Sequence, residues 1–378
     1  MFDPEIWRKV PFQFWTLTAF VFGSIVGSFL NVCIHRLPLG QSIVHPPSHC
    51  PHCRYSIPWY LNIPLVTWVW LGGRCAHCQA PISPRYFLVE LLTGVMGALC
   101  WINFGHISPF LAAAYFIFIA GLIVGSFIDI EHLIIPDQIT FGGMAAGLLL
   151  SLLVPQMHVA FPGPGRLSKP GAGIAASIAG LAIGAGVIYA ALRAGKYFLG
   201  RQKVELPPST RIIFTESGVQ LPDEEIPFET LFYRKTDAIE LQARQVELID
   251  RCYANVPVRL TPDCLKVGED SFEPEKVLCL EVVADRIVLP REAMGPADVT
   301  FMGAIGAFLG WPAIFFSLAA GCFIGSIAGL TPILLKKKHL SAPIPFGPYL
   351  ALGALIWVFG GYHWMPFYGA GWNGGRQP

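Results

Sequence analysis

Long apolar runs separated by short polar stretches dominate this chain. Runs of roughly 18–25 apolar residues are long enough to cross a bilayer as helices. They predict about eight transmembrane helices, near residues 12–34, 86–103, 108–128, 139–156, 171–195, 299–316, 317–335 and 346–363. The second and third, and the sixth and seventh, are joined by very short connections and read as helical hairpins. The first run is too long for the apolar core of a cleaved signal peptide and lacks a small-residue cleavage site, so it is read as a retained helix.

Two stretches break this pattern. Residues 38–85 form a loop rich in Pro, Cys and His, and residues 198–295 hold most of the acidic side chains. Within the second, apolar and polar positions alternate over 211–215 and 277–289, which predicts strands. The stretch 236–251 reads as a helix. Val219-Gln-Leu-Pro-Asp-Glu-Glu225 faintly echoes Ile287-Val-Leu-Pro-Arg-Glu-Ala293. The insert is therefore expected to be a small α+β domain, with two related halves as one arrangement. A packing or regulatory role without chemistry is its plainest reading.

Composition agrees with the membrane reading. Of 378 residues, 53% are hydrophobic and 13% charged, and the mean hydropathy is +0.53. A soluble protein carries about twice that charged fraction. The net charge of +1 gives no bulk attraction to nucleic acid. This is a polytopic α-helical membrane protein, with lipid as its solvent.

Lys and Arg set the orientation. One side receives Arg36, Arg54, Arg74, Arg85, Arg193, Lys196, Arg201, Lys203 and the Lys336-Lys337-Lys338 cluster; the other receives Arg8, Lys9, Arg166, Lys169 and Arg376. The first side is expected to be cytoplasmic, with both termini outside. The expected divisions are 1–37, first helix; 38–85, cytoplasmic zinc-binding loop; 86–197, helices two to five; 198–295, insert; 296–365, helices six to eight; and 366–378, tail.

Three helices share a small-xxx-small pattern: Gly23-Ser-Ile-Val-Gly-Ser28, Gly121-Leu-Ile-Val-Gly-Ser126 and Gly321-Cys-Phe-Ile-Gly-Ser326. Glycines four apart let helix backbones approach closely, and plain helix packing accounts for them.

Candidate chemistry lies at two places. Cys50-Pro-His-Cys53 and Cys75-Ala-His-Cys78 are two CxxC knuckles, and two such turns supply a tetrahedral sulfur site for structural zinc. Redox pairs or disulfides are the competing readings, disfavoured on a reducing cytoplasmic side. His52 and His77 are bystanders or alternative ligands. Cys33, Cys100, Cys252, Cys264, Cys279 and Cys322 show no ligand spacing and read as ordinary buried thiols.

The second place is a pair of acids. Asp129 ends one apolar run and Asp298 opens another, about 170 positions apart. Topology counting puts both on the cytoplasmic face. A carboxylate at the edge of hydrocarbon costs a few kcal/mol on insertion scales. Two such acids brought together can share a proton and activate water, as in an aspartyl protease. The competing reading is that each caps a helix or forms a salt bridge. Glu131 and Asp137 are nearby acids open to confusion with Asp129, and Asp137, after Pro136, reads as a helix N-cap.

These motifs carry a resemblance. Gly27-Ser-Phe-Leu-Asn-Val-Cys-Ile-His-Arg-Leu-Pro38, the double CxxC loop with Asn62-Ile-Pro-Leu65 and Leu71-Gly-Gly73, and Arg85-Tyr-Phe-Leu-Val-Glu90 resemble the N-terminal half of type IV prepilin peptidases. Ile128-Asp-Ile-Glu-His-Leu-Ile-Ile-Pro-Asp137, residues 304–311 and Pro343-Ile-Pro-Phe-Gly-Pro-Tyr349 are similar to the C-terminal half. The resemblance spares only the insert. It implies a GxGD-type aspartyl protease of the bacterial inner membrane, removing the leader of type IV prepilins and type II secretion pseudopilins. Members with the four-cysteine loop also N-methylate the new terminus from S-adenosylmethionine. By motif, Asp129 and Asp298 match the catalytic acids, and Cys50, Cys53, Cys75 and Cys78 the zinc ligands. No residue is matched to the methyl donor.

Three features depart from that pattern. The second acid sits in Gly295-Pro-Ala-Asp298 rather than Gly-x-Gly-Asp, Thr300 stands where many members have Lys, and the insert lengthens a usually brief link. They motivate an alternative: a non-catalytic paralogue that binds pilin-like helices or secretion partners. A proton-relay transporter is a third reading, set aside because its acids would lie near the midplane within inverted repeats. The insert's last strand leads into Gly295, so control of access to Asp298 is a further expectation.

Overall fold

The computed structural model describes residues 11–158, 170–199, 201–215, 217–222, 225–232, 237–248, 251–274, 277, 280–290, 295–334 and 345–361. The Lys336-Lys337-Lys338 cluster, Arg8, Lys9, Arg166, Lys169, Cys279, Pro343 and the tail with Arg376 lie outside them. The chain divides into two compact units, one of residues 1–189 with 295–378 and one of 190–294.

The first unit is helical. Its principal helices are α1 (Phe12–Arg36), α2 (Pro84–Cys100), α3 (Pro109–His132), α4 (Asp137–Leu153), α5 (Pro170–Leu199), α6 (Pro296–Leu309), α7 (Trp311–Leu334) and α8 (Gly347–Val358). Among the described residues, five apolar helices are long enough to cross a membrane: Phe12–Arg36, Pro84–Gly105, Pro109–His132, Gly171–Gly195 and Trp311–Thr331. The helices α4, α6 and α8 are shorter, at 17, 14 and 12 residues. Proline sits at the start of α2, α3 and α6, where its missing N–H would have no intrahelical partner anyway.

Two boundaries differ from expectation. The break expected at 316–317 falls at Gly310, between α6 and α7, where φ is +77°. The apolar run continues across it, so hydrophobicity alone does not mark the turn; the left-handed backbone that glycine tolerates does. Asp137 is not the N-cap of α4. Pro136 occupies that position and Asp137 is the first helical residue, without a side-chain capping bond. Its carboxylate there faces the positive end of the helix dipole.

Close packing at glycine builds the helical unit. A Cβ at Gly23 would lie 2.7 Å from the Thr93 carbonyl, and one at Gly27 would lie 2.7 Å from Glu90 Cα, so α1 and α2 meet backbone to backbone. Gly321 and Gly325 seat Tyr349 of α8 against α7, and Gly125 of α3 receives the ring of Phe301. Gly180 of α5 meets Gly306 of α6 directly, beside the bond from Ser177 Oγ to the Ala307 carbonyl at 2.7 Å. Five of the six small-xxx-small glycines thus pack a helix. Gly121 alone has nothing within 4 Å of where its Cβ would be.

Among its described residues, the second unit is an antiparallel sheet of eight strands with one short helix, Phe228–Leu231. Its strands are β1 (Arg201–Phe214), β2 (Gly218–Gln220), β3 (Glu225–Pro227), β4 (Ile239–Leu248), β5 (Cys252–Thr261), β6 (Cys264–Val267), β7 (Asp270–Phe272) and β8 (Leu280–Pro290). They lie in the order β3-β2-β1-β8-β4-β5-β6-β7. Ile212, Val219, Ile239, Val282 and Ile287 are among the residues of its core.

The helix expected over 236–251 is strand β4, paired with β8 on one side and β5 on the other. Ile239, Leu241 and Ala243 face the core with a period of two. A register shift between Ala243 and Gln245 then moves the next buried residue to Val246. That bulge turns a two-residue repeat into a three-residue step among good helix formers, which imitates a helical pattern.

Candidate active site

Asp129 lies in the last turn of α3. Its carbonyl accepts the N–H of Leu133 at 2.9 Å, and Leu133 caps the helix in the left-handed conformation. The α3 helix runs on to His132, so Asp129 projects from ordered helix rather than from its end. Asp298 is the third residue of α6, its N–H bonded to the Gly295 carbonyl at 3.2 Å. The two acids are only 6% and 7% exposed. Phe301, one turn along α6 from Asp298, packs on Gly125, one turn back along α3 from Asp129. Two acids distant in sequence are thus brought to one buried locality.

A third element holds Asp129. Its Oδ2 accepts the N–H of Gly347, 218 positions away, at 2.9 Å. Gly347 opens α8, where backbone N–H groups lack intrahelical acceptors and the helix dipole favours an anion. A Cβ on Gly347 would lie 2.8 Å from that same oxygen and 3.0 Å from Ile135 Cδ1. Only glycine lets the carboxylate approach this N–H. Within the Pro343–Tyr349 motif this role is not visible in sequence; a helix-opening Gly347-Pro348 is the signal that could have marked it.

The neighbouring acids behave differently. Glu131 pairs with Arg85 of α2, whose guanidinium also lies over the Tyr86 ring. Asp137 is exposed at the start of α4. Neither shares the buried locality of Asp129 and Asp298. Ala297 stands at the second helical position of α6, preceded by Pro296 at the first and by Gly295 at the cap, with φ −70° and ψ 146°. No residue of Gly295-Pro-Ala-Asp298 uses a glycine-only conformation.

The four cysteines form a separate cluster. The Sγ atoms of Cys50, Cys53, Cys75 and Cys78 all lie within 4.8 Å of one another, with Cys50 to Cys78 at 3.8 Å and Cys53 to Cys75 at 4.0 Å. A metal ion with sulfur ligands at about 2.3 Å in a tetrahedron separates its sulfurs by about 3.8 Å. The geometry fits such an ion. The two knuckles repeat each other bond for bond. Arg54 N–H reaches the Cys50 carbonyl and Gln79 N–H the Cys75 carbonyl, at 2.9 and 3.1 Å. Cys50 N–H reaches Tyr55 and Cys75 N–H reaches Ala80, at 3.0 and 2.9 Å. Arg54 and Gln79 both take positive φ, 57° and 60°.

The His77 N–H points at Cys75 Sγ at 3.4 Å, the kind of donor that favours the thiolate a metal needs. His77 stacks on Tyr55 with ring centroids 5.2 Å apart, and His52 is exposed. The loop is tied to α1 near its start and to α2 near its middle. Buried Arg36 donates to the Ser42 and Pro46 carbonyls at 3.0 and 2.7 Å, and Glu90 of α2 accepts the Leu65 N–H at 2.8 Å. Among the other cysteines, Cys33 and Cys100 are buried, whereas Cys252 and Cys322 are exposed and Cys264 half-buried, contrary to expectation. Cys322 lies on the outer surface of apolar α7, and Cys252 opens β5.

Comparison with known proteins supplies the family. The bacterial peptidase A24 N-terminal domain matches residues 21–104, and the type IV leader peptidase family matches residues 116–204. A prepilin leader peptidase/N-methyltransferase of Aeromonas hydrophila is 27% identical over 380 residues, covering 93% of this chain and 94% of the relative. One of Myxococcus xanthus (strain DK1622) is 48% identical over 132 residues, 35% of this chain and 39% of the relative. One of Klebsiella pneumoniae is 40% identical over 155 residues, 39% of this chain and 67% of the relative. No solved structure matches. With a relative 40% identical matched over 67% of its length, and two family domains matched within 21–204, this chain belongs to the type IV leader peptidase family.

Proposed function

We propose that this chain is a membrane aspartyl endopeptidase that removes the leader of type IV prepilins or type II secretion pseudopilins. The observation that carries the reading is the buried pair Asp129 and Asp298, on helices α3 and α6 that pack at Gly125 and Phe301, with α8 donating the Gly347 N–H to Asp129. One carboxylate, ionised, takes a proton from water as the water oxygen attacks the scissile carbonyl carbon. The other, protonated, donates to the carbonyl oxygen. As the tetrahedral intermediate collapses, the C–N bond breaks and the departing amine takes the proton that the first carboxyl received from water. The second carboxylate recovers one from the hydroxyl that becomes the carbonyl.

Eight membrane spans accommodate this role, with the shorter α4, α6 and α8 completing the bundle beside the five long helices. The proposed setting is the bacterial inner membrane, with the acids and the cysteine loop cytoplasmic. Cys50, Cys53, Cys75 and Cys78 would hold zinc. Four sulfur ligands leave no position for water, so the metal would fold the 38–85 loop rather than hydrolyse. N-methylation of the new terminus is part of the proposal, supported by the relatives' names; S-adenosylmethionine would supply the methyl group, and no side chain of this chain is assigned to it. The 198–295 insert is proposed as an accessory domain.

Co-expression with a prepilin, followed by mass analysis of the product, tests the reading. Asp129→Asn and Asp298→Asn should each abolish shortening while the protein still inserts, and an added methyl mass would report the second activity. Undiminished cleavage in either variant would overturn the assignment.

A further inference from the structure

The segment between the two cysteine knuckles turns its apolar side chains outward. Trp59 and Tyr60, in the single 3₁₀ turn Trp59–Leu61, are exposed, Trp59 at 81%. The short helix Val66–Trp70 follows. Val66, Val69 and Trp70 stand at positions i, i+3 and i+4 and share one face. All three are exposed, Trp70 at 77%, whereas Thr67 is buried and Trp68 half-buried. A helix with this face in water would show the reverse pattern. A contiguous apolar patch of this kind marks a binding surface or a membrane contact.

The other side of the short helix fixes its depth. Leu65, held at φ +63°, donates its N–H to Glu90 of α2 at 2.8 Å. The Trp68 ring packs on Phe87 with centroids 5.2 Å apart, and its Nε1 donates to the Ile82 carbonyl at 3.4 Å. Phe87 and Glu90 lie about 4.5 and 9 Å along α2 from Pro84, where that helix begins. The span Pro84–Gly105 has 22 residues, or about 33 Å of helix, against about 30 Å of hydrocarbon. The short helix is therefore pinned beside the outermost turns of a membrane-spanning helix, at the level where headgroups meet acyl chains. Leu88, in the same stretch of α2, is exposed as well.

We infer that residues 59–70 form an interfacial anchor that places Val66, Val69 and Trp70, with Trp59 and Tyr60, in the headgroup–acyl boundary of a phospholipid bilayer, an inference that rests on α2 crossing that bilayer. Trp and Tyr suit this zone because each ring has an apolar body and a polar atom for water or headgroup. Charge agrees. Residues 38–85 contain no Asp or Glu, and Arg54 and Arg74 beside the knuckles are exposed, so no carboxylate opposes the lipid phosphates. The same charge disfavours the basic leader of the proposed substrate as the occupant. Cys53 precedes the anchor and Cys75 follows it, so the sulfur cluster is held at the membrane surface instead of swinging free in water.

The test uses the full-length protein in liposomes of phosphatidylethanolamine and phosphatidylglycerol. Samples are labelled either with a phospholipid carrying a diazirine on its acyl chain or with a water-soluble diazirine, and adducts are mapped by mass spectrometry. The lipid probe should label 66–70 to within threefold of its yield at Leu88. The water-soluble probe should label the exposed residues 76–79 at least fivefold more than 66–70. Val69→Asp combined with Trp70→Asp should raise aqueous labelling of 66–70 at least fivefold and leave lipid labelling of Leu88 unchanged. Equal aqueous labelling of 66–70 and 76–79 in the wild-type protein would overturn the anchor and leave the patch to water. Labelling of 66–70 by neither probe would overturn it in favour of a covering protein surface, with Leu88 still labelled by lipid. Loss of the lipid label from Leu88 and Val95 too would reject the span itself and the anchor with it.

Discussion

The cysteine cluster and the acid pair solve opposite problems of assembly. Each cysteine knuckle is closed by hydrogen bonds among residues 49–56 or 74–81, and the two copies superpose in pattern. The acid pair has no local scaffold at all. Asp129, Asp298 and Gly347 come from three helices, and each is placed by packing between elements far apart in the chain. A locally built site tolerates change elsewhere and fails with its own ligands. A site assembled from distant helices fails wherever one of those helices shifts, because catalysis depends on placement to within about 1 Å.

Changing the acids themselves tests this most severely. Asp129→Asn or Asp298→Asn keeps size and removes the charge, and general acid–base groups contribute about 10²–10⁴-fold each. Leader cleavage should fall by about 10³-fold or more in either variant, measured as initial rate on inserted protein. Next in size is Gly347→Ala. Its Cβ would sit 2.8 Å from Asp129 Oδ2 and must displace it, so cleavage should fall by about 10²-fold with little change in zinc content. Normal activity in that variant would mean that α8 does not hold the acid.

Removing a ligand of the proposed zinc sharpens the other side of the comparison. Cys75→Ser takes away one of four sulfur ligands and with it most of the affinity for zinc, since binding and folding of such loops are one equilibrium. The purified variant should lose zinc by elemental analysis, and protease should nick it within 38–85. Cleavage should fall by less than in Gly347→Ala, because the acids are placed by helices. A larger fall would show that the loop holds the acids too.

What the sequence revealed follows the same division. Two knuckles are visible as spacing, because the turn, the ligands and the bonds that close it occupy a few consecutive residues. The acids are visible as charges at the ends of apolar runs, but Gly347 is not, since its role exists only once α8 meets α3. The break at Gly310 hides inside one continuous apolar run, and β4 hides behind a bulge that disguises its alternation. Each of these depends on a partner or a backbone angle that local composition does not encode. The role of each glycine was equally hidden: the Gly121 motif is the same as the other two, and only packing separates the glycine that is covered from the one that is open.

The smallest effect is expected at the residue that departs most plainly from the family pattern. Ala297 is at the second position of α6, in ordinary helical conformation, half-buried, with its carbonyl accepting the Thr300 hydroxyl at 2.9 Å. Pro296 before it occupies a site where no N–H is needed. Glycine at 297 would therefore relieve nothing, and it costs about 0.5–1 kcal/mol relative to alanine within a helix. Ala297→Gly should change cleavage by no more than about threefold, the kinetic equivalent of about 0.65 kcal/mol, with a slightly lower melting temperature. A rise of tenfold or more would mean that alanine holds the wild-type site closed. That outcome would favour the non-catalytic reading, because the acids would then be in place but obstructed by one methyl group.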